Sequence, residues 1–170
     1  MSVVKKGIAW VPVEADSEGT RIGGVAPAEL VEHWPFFEGE PLPFFGQLVS
    51  DEEPTIFLFL SNSGERSWQP VGGANAVLVE GSWEVGDWID VKPLEGRPAP
   101  LYSEGAYAPE SMNHDPKWLQ GEEDQAGFDF IFQVPSQVDG GDAINIGGAY
   151  GDAYVFLSAD GSAGRMLWQA

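Results

Sequence analysis

Hydrophobic positions along the chain fall in short runs of four to eight residues rather than in long helical stripes. GIAWVPVEA at 7–15 reads as a first strand, with Pro12 placing it at an edge or an early bend. APAELVEH at 26–33 carries helix-like spacing through Ala28, Leu30 and Val31, and Pro35 stops any extension. PLPFFGQLVS and TIFLFLSNSG predict two apolar strands joined by the acidic turn Asp51–Pro54. Ile56–Ser61 is apolar on both alternating faces, which predicts a central strand covered on each side. AVLVEGSWEVGDWIDVKP at 76–93 divides into two strands at Gly81 or Gly86. Residues 94–117 read as irregular and Pro/Gly-rich, without a buried strand. FDFIFQVPS, AYVFLSADG and RMLWQ supply the last strands.

Roughly eight to ten strands with one or two short helices, and no long amphipathic helix, argue against βαβ units. The pattern predicts an α+β, sheet-dominated fold with antiparallel or mixed sheets, in a single domain spanning 1–170.

An echo organises these runs. Phe59–Gly64 (FLSNSG) and Phe156–Gly161 (FLSADG) are nearly the same hexapeptide. Upstream lie FFGQLVS, containing Gln47, and FIFQVPS, containing Gln133; downstream lie Trp68–Gln69 and Trp168–Gln169. Trp34 precedes Gln47 by 13 residues and Trp118 precedes Gln133 by 15. The common order predicts two degenerate internal repeats, at approximately 20–75 and 105–170. The separation grows from 86 residues at the glutamines to 97 at F-L-S, so an insertion falls in the loop DGGDAINIGGAYGD. The hexapeptide itself reads as a strand end and its turn, which makes it scaffold.

The ordered set Arg21-Ile22-Gly23-Gly24, Trp34-Pro35 and Pro41-Leu42-Pro43-Phe44-Phe45-Gly46-Gln47 resembles the opening of the YwqG-like family, a bacterial domain of unknown function. His114-Asp115-Pro116-Lys117-Trp118-Leu119-Gln120 is similar to its central segment, and Phe132-Gln133 and Gly151–Phe156 to its final strands. The chain departs from the family pattern at Asn113, His114 and Asp115, which stand where glycines are usual, and at Tyr154. The resemblance implies a sheet-dominated domain with internal duplication, and no established reaction or catalytic residue comes with it. Members resemble components of toxin–immunity neighbourhoods.

Charge narrows the partners. The chain carries 27 acidic and 8 basic residues, a net charge of −19, with no Lys or Arg between Arg21 and Arg66 or between Lys117 and Arg165. Such a surface repels phosphate backbones, which argues against nucleic acid. It suits either solubility in a salty cytoplasm or a basic protein partner drawn in by the field. The absence of cysteine excludes disulfides, thiolate metal sites and a cysteine nucleophile. No run approaches the roughly 18 apolar residues that span a bilayer, and the N-terminus reads as no signal peptide. A cytoplasmic protein with no membrane partner is the expectation.

Candidate chemistry is sparse. His33, at the end of the predicted helix, reads as a capping or exposed residue. His114, beside Asp115, is the one histidine placed to serve as a ligand or base, and no further metal ligands stand at suitable spacing. No G-x-S-x-G nucleophile motif occurs, and the glycine-rich loop lacks the lysine of a phosphate loop and the spacing of an EF-hand. Trp83, Glu84, Asp87 and Trp88 could face a sugar, but Trp83, Val85 and Ile89 also fit a core.

Gln47, Gln120 and Gln133 lie among apolar neighbours, where an unpaired buried amide costs about 1–3 kcal/mol. They either bond to backbone and fix strand register or meet at a cleft between the repeats, with Trp34 and Trp118 as walls. The binding candidates are therefore His114, Trp118, Gln120, Gln47 and Gln133, without catalytic residue, metal or cofactor. These features describe an acidic, non-catalytic module for a basic protein partner, and with the resemblance they imply an immunity-type role. The alternative is a hydrolase or small-ligand binder using the inter-repeat cleft.

Overall fold

A computed structural model describes residues 10–52, 54–61, 74–96, 106–109, 121–123, 125–134 and 152–169. Its strands are β1 (Trp10–Val13), β2 (Arg21–Gly23), β3 (Trp34–Phe37), β4 (Glu40–Pro41), β5 (Phe44–Leu48) and β6 (Ile56–Leu60). β7 (Asn75–Val79), β8 (Ile89–Lys92), β9 (Ala106–Pro109), β10 (Phe128–Val134), β11 (Asp152–Ser158) and β12 (Gly164–Gln169) follow. Helix is confined, among the described residues, to a 3-10 turn at Ala28–His33, framed by Pro27 before it and Pro35 just beyond it.

The strands form three sheets, in which every pairing is antiparallel. The largest has the order β1-β9-β2-β5-β6-β7; the others are β4-β3-β8 and β10-β11-β12.

Alternation in β6 explains the layering. Ile56, Leu58 and Leu60 point to one side and join Val77, Val79, Phe132, Val134, Val155 and Met166 in a core against the β10–β12 sheet. Phe57 and Phe59 point to the other and join Leu30, Trp34, Phe36, Leu78 and Ile89 in a core against the β3–β8 sheet. β6 is buried throughout, as its two-sided apolar sequence requires. Each fully buried side chain of this size contributes about 1.5–3 kcal/mol of apolar burial. Phe59 is gripped edge-on by Trp34 at 5.1 Å and by Phe44 at 5.7 Å between ring centroids. At the other seam the backbone of Gly164 lies against Val77, with no space for a Cβ.

The β5–β6 and β10–β11 hairpins share a register. Phe44 faces Phe59 and Gln47 faces Phe57, with Phe45 as an extra residue that breaks the ladder. Phe130 faces Phe156 and Gln133 faces Tyr154, with Ile131 as the extra residue. Both bulges sit two residues before the glutamine, and both F-L-S segments occupy the same place opposite it. The W-Q landmark does not follow this register. Trp168 lies opposite Ala153, where the first hairpin has Val79 opposite Ile56. Trp68–Gln69 lies outside the described residues.

One expectation is overturned within 94–117. Ala106–Pro109 is a strand, inserted between β1 and β2, with Ala106 buried. Its four residues are too few, and its alanines too small, to register as an apolar run; pairing on both edges makes the strand, not propensity. Trp34-Pro35, which stops the helix, also begins β3.

Candidate functional site

Three polar centres stand out against this apolar framework. The first is built on β2. Arg21, Gln47 and Phe57 lie opposite one another in successive strands and form a row across the large sheet. Arg21 is only 2% exposed, and its guanidinium is held entirely by backbone. Nε donates to Ser17 O at 2.8 Å, Nη1 to Gly23 O at 2.6 Å and Nη2 to Val25 O at 2.6 Å. Its carbon lies 5.5 Å from the centre of the Phe44 ring. Burial lowers the Arg21 pKa from its ordinary value, and the nearby negative charge of Asp16 partly opposes that shift. The loop can wrap so closely because Gly24 has φ +81° and sits against Ala15 O and Nη1 of Arg21, where a Cβ has no space.

Gln47 secures the same loop. Its Nε2 donates toward Gly19 O at 2.9 Å, Glu18 O at 3.1 Å and Ser17 O at 3.3 Å. Three converging carbonyls fix which end of the amide is nitrogen. Oε1 is thereby left buried without a hydrogen-bond partner among the described residues. Thr20 closes the loop onto the sheet: its Oγ1 donates to Val49 O at 3.1 Å and lies 2.8 Å from the Val49 N–H. Beside this row lies an open cleft of about 420 Å³, with Arg21, Gln47 and Phe57 among its lining and Asp16, Glu18 and Glu29 contributing carboxylates.

The second centre surrounds Gln133 on the outer face of the β10–β12 sheet. Gln133 Nε2 donates to Asp152 Oδ2 at 2.7 Å and to the Tyr154 hydroxyl oxygen at 3.3 Å. Gln169, opposite Asp152, donates to Gly121 O at 2.8 Å and Glu123 Oε1 at 3.1 Å. The third is the β11–β12 turn. Asp160 accepts from Ser158 Oγ at 2.7 Å, Ser162 Oγ at 2.8 Å and the Ser162 N–H at 3.1 Å. Those bonds lower its pKa to about 2. Ser82 donates to Ser162 O, and Ser162 Oγ lies 3.2 Å from Glu84 Oε2, which ties this turn to the segment after β7.

The glutamines do not meet. Gln47 shares its face with Phe57 and Gln133 shares its face with Tyr154; both faces turn away from the core that joins the two sheets. The expected cleft between the repeats is therefore absent at these residues, because the facing positions carry Leu58 and Val155 rather than the amides. Trp34 is no cleft wall: it is buried and donates through Nε1 to Leu42 O at 3.0 Å. His114, Trp118 and Gln120 lie outside the described residues, as does the glycine-rich loop apart from Asp152.

His33 stacks on Trp83 at 4.2 Å, and Trp83 lies parallel to Phe57 at 6.2 Å, which leaves Trp83 packed within the fold. Trp88 is 58% exposed. No group of three His, Asp or Glu side chains is placed to hold a metal among the described residues. Likewise, no helix there is long and apolar enough to cross a membrane.

Thr55, Phe57 and the 16–19 loop escape a reading of motifs, and Arg21 enters one without its role, because backbone carbonyls, not a local pattern of side chains, create the site. The one signal in the sequence is a lone arginine before Ile-Gly-Gly in a stretch otherwise without basic residues. Compared with known proteins, the chain matches no family model, no curated protein and no solved structure.

Proposed function

We propose that this protein is a non-catalytic binding module whose partner is a protein with a basic surface. The sorting of charge carries the reading. Every described carboxylate except Asp152 is exposed. The described cations are only three: Arg21 is buried, the exposed Lys92 holds Nζ 4.4 Å from the centre of the Phe36 ring, and the half-buried Arg165 guanidinium lies 4.1 Å from that of Phe128. The outer field is therefore almost purely negative over the described surface, a condition that steers a basic partner and repels an acidic one. The resemblance to YwqG-like proteins supports an immunity-type role in the cytoplasm. Two degenerate copies of a three-stranded meander supply the scaffold, a reading supported by the shared bulge position and F-L-S register.

A partner screen followed by affinity measurement at rising ionic strength tests this. From 0.1 M to 1 M salt the screening length falls from about 10 Å to about 3 Å. Affinity is expected to fall steeply over that range, chiefly through the association rate. Binding that is insensitive to salt refutes the charge-led reading.

A further inference from the structure

β8 stands apart from the other strands at the sheet edges. β1 and β4 carry Pro12 and Pro41, β7 is buried throughout, and residues of β10 and β12 have further partners. The direction of the β8 backbone follows from the proline opposite it. Pro35 pairs with Val91, yet Pro35 O accepts from the Leu42 N–H at 3.0 Å, on the β4 side. Backbone groups of an antiparallel strand alternate between its two neighbours, so Trp34 and Phe36 bond to β8 through Lys92 and Asp90. Ile89 and Val91 therefore turn their N–H and C=O groups away from β3. The Ile89 N–H agrees, donating to Gly86 O at 3.1 Å, off the ladder. Ile89 O and both backbone groups of Val91 are left at the edge, with no strand beyond them among the described residues.

We propose that this edge of β8 takes up an extended segment of a protein partner as a further strand, one in which lysine or arginine alternates with an apolar residue. The pairing groups make the site: Val91 offers a donor and an acceptor, and Ile89 a second acceptor. They are held in place, because Ile89 belongs to the core shared with Trp34 and Phe57 and Val91 packs against it. Trp88, immediately before the strand, is the most exposed large apolar side chain among the described residues and supplies apolar contact. Asp87, Asp90 and Glu95 are exposed around the edge, against Lys92 alone, so the local charge complements a basic segment. Lys92 and Pro93 keep the edge short, which blunts indiscriminate pairing. A second copy would bring the same acidic edge against itself, on a chain of net charge −19. The choice of a basic segment rests on the function proposed above; the outward direction of Val91 does not.

The test is NMR titration of the full chain with an acetylated, amidated hexapeptide of alternating lysine and valine. The expected result is saturable shifts centred on residues 88–92, with hydrogen exchange of the Val91 amide slowed at least roughly tenfold at saturation. The Asp90 and Lys92 amides, already in the ladder with β3, are expected to keep their exchange rates. The same peptide methylated at every backbone nitrogen keeps its charge and is expected to bind about tenfold more weakly or less. Val91→Pro removes the outward N–H without touching the β3 ladder and is expected to cost a similar factor. Trp88→Ala, at an exposed position, keeps the test decisive if the proline variant fails to fold, and is expected to weaken binding about fivefold.

No saturable binding, equal binding of the methylated peptide, an unprotected Val91 amide, or full binding by both variants overturns the proposal. Protection of Val91 that grows with protein concentration, without peptide, assigns the edge to a second copy and overturns it too. A basic protein that binds with steep salt dependence while Val91 stays unprotected overturns the edge and leaves the charge-led reading standing. Peptide pairing at Val91 that is insensitive to salt supports the edge and refutes the charge-led reading.

Discussion

Replacing Arg21 with methionine keeps most of the side-chain volume and removes the fork that holds Ser17 O, Gly23 O and Val25 O. Three hydrogen bonds from a charged donor, at about 1.5–3 kcal/mol each, bound the loss from above. Against this, the variant no longer desolvates a charge, whose burial lowers the arginine pKa and costs several kcal/mol. The carbonyls of Gly23 and Val25 stay in place and lose this donor, so the apolar replacement does not relieve the whole site. The balance is a loss of about 3–5 kcal/mol, which for a chain of this size corresponds to a fall in Tm of roughly 10 °C.

Urea unfolding followed by far-UV circular dichroism measures it: the midpoint should move down at unchanged slope. Arg21→Lys should fall between wild type and Arg21→Met, because one ammonium cannot span the three carbonyls that the planar fork reaches. A loss under about 1 kcal/mol for Arg21→Met, or a gain, refutes the claim that Arg21 organises the 15–25 loop.

Asp160 offers a pH test with a defined sign. Its folded pKa lies at about 2, below the ordinary value of 3.8. The stabilisation is therefore complete above the unfolded pKa and lost as pH falls through about 2. A carboxyl NMR titration should find that midpoint, and Ser158→Ala should raise it. Gly46→Ala should destabilise by about 1–3 kcal/mol or more, since its Cβ would lie 2.5 Å from Arg21 O and 3.0 Å from Ile22 Cα. Gly19→Ala, with nothing within 4 Å of its Cβ, should be neutral or stabilise by about 0.4–1 kcal/mol; paired denaturation curves separate the two.

Strands with enough apolar residues to declare a period were legible in the sequence. FFGQL, IFLFL, FDFIFQV and DAYVFLS form strands where their alternation places them, and the two-sided run in β6 is buried on both faces. The short members were not. RIG and AYAP become strands through long-range pairing with each other and with β1 and β5, a constraint no local window carries. The glutamines were legible as misfits among apolar residues, but not their destinations. Gln47 reaches carbonyls of the 17–19 loop, while Gln133 finds a carboxylate and a phenol on its own sheet. Which face a glutamine takes depends on the bulge before it, and a one-residue slip there reverses the answer.

The insertion of β9 between β1 and β2 has a consequence for how the chain is made. β1 and β2 leave the ribosome early, yet the strand joining them is synthesised more than 80 residues after β2. At about 5–20 residues per second that interval lasts on the order of ten seconds. Throughout it β1 lacks its sheet neighbour, and β2 presents an open edge able to pair with another nascent chain. Completion of the largest sheet is thus a late event in translation, and a stall before residue 106 leaves β2 docked on β5 along one edge only and β1 without a strand to pair with.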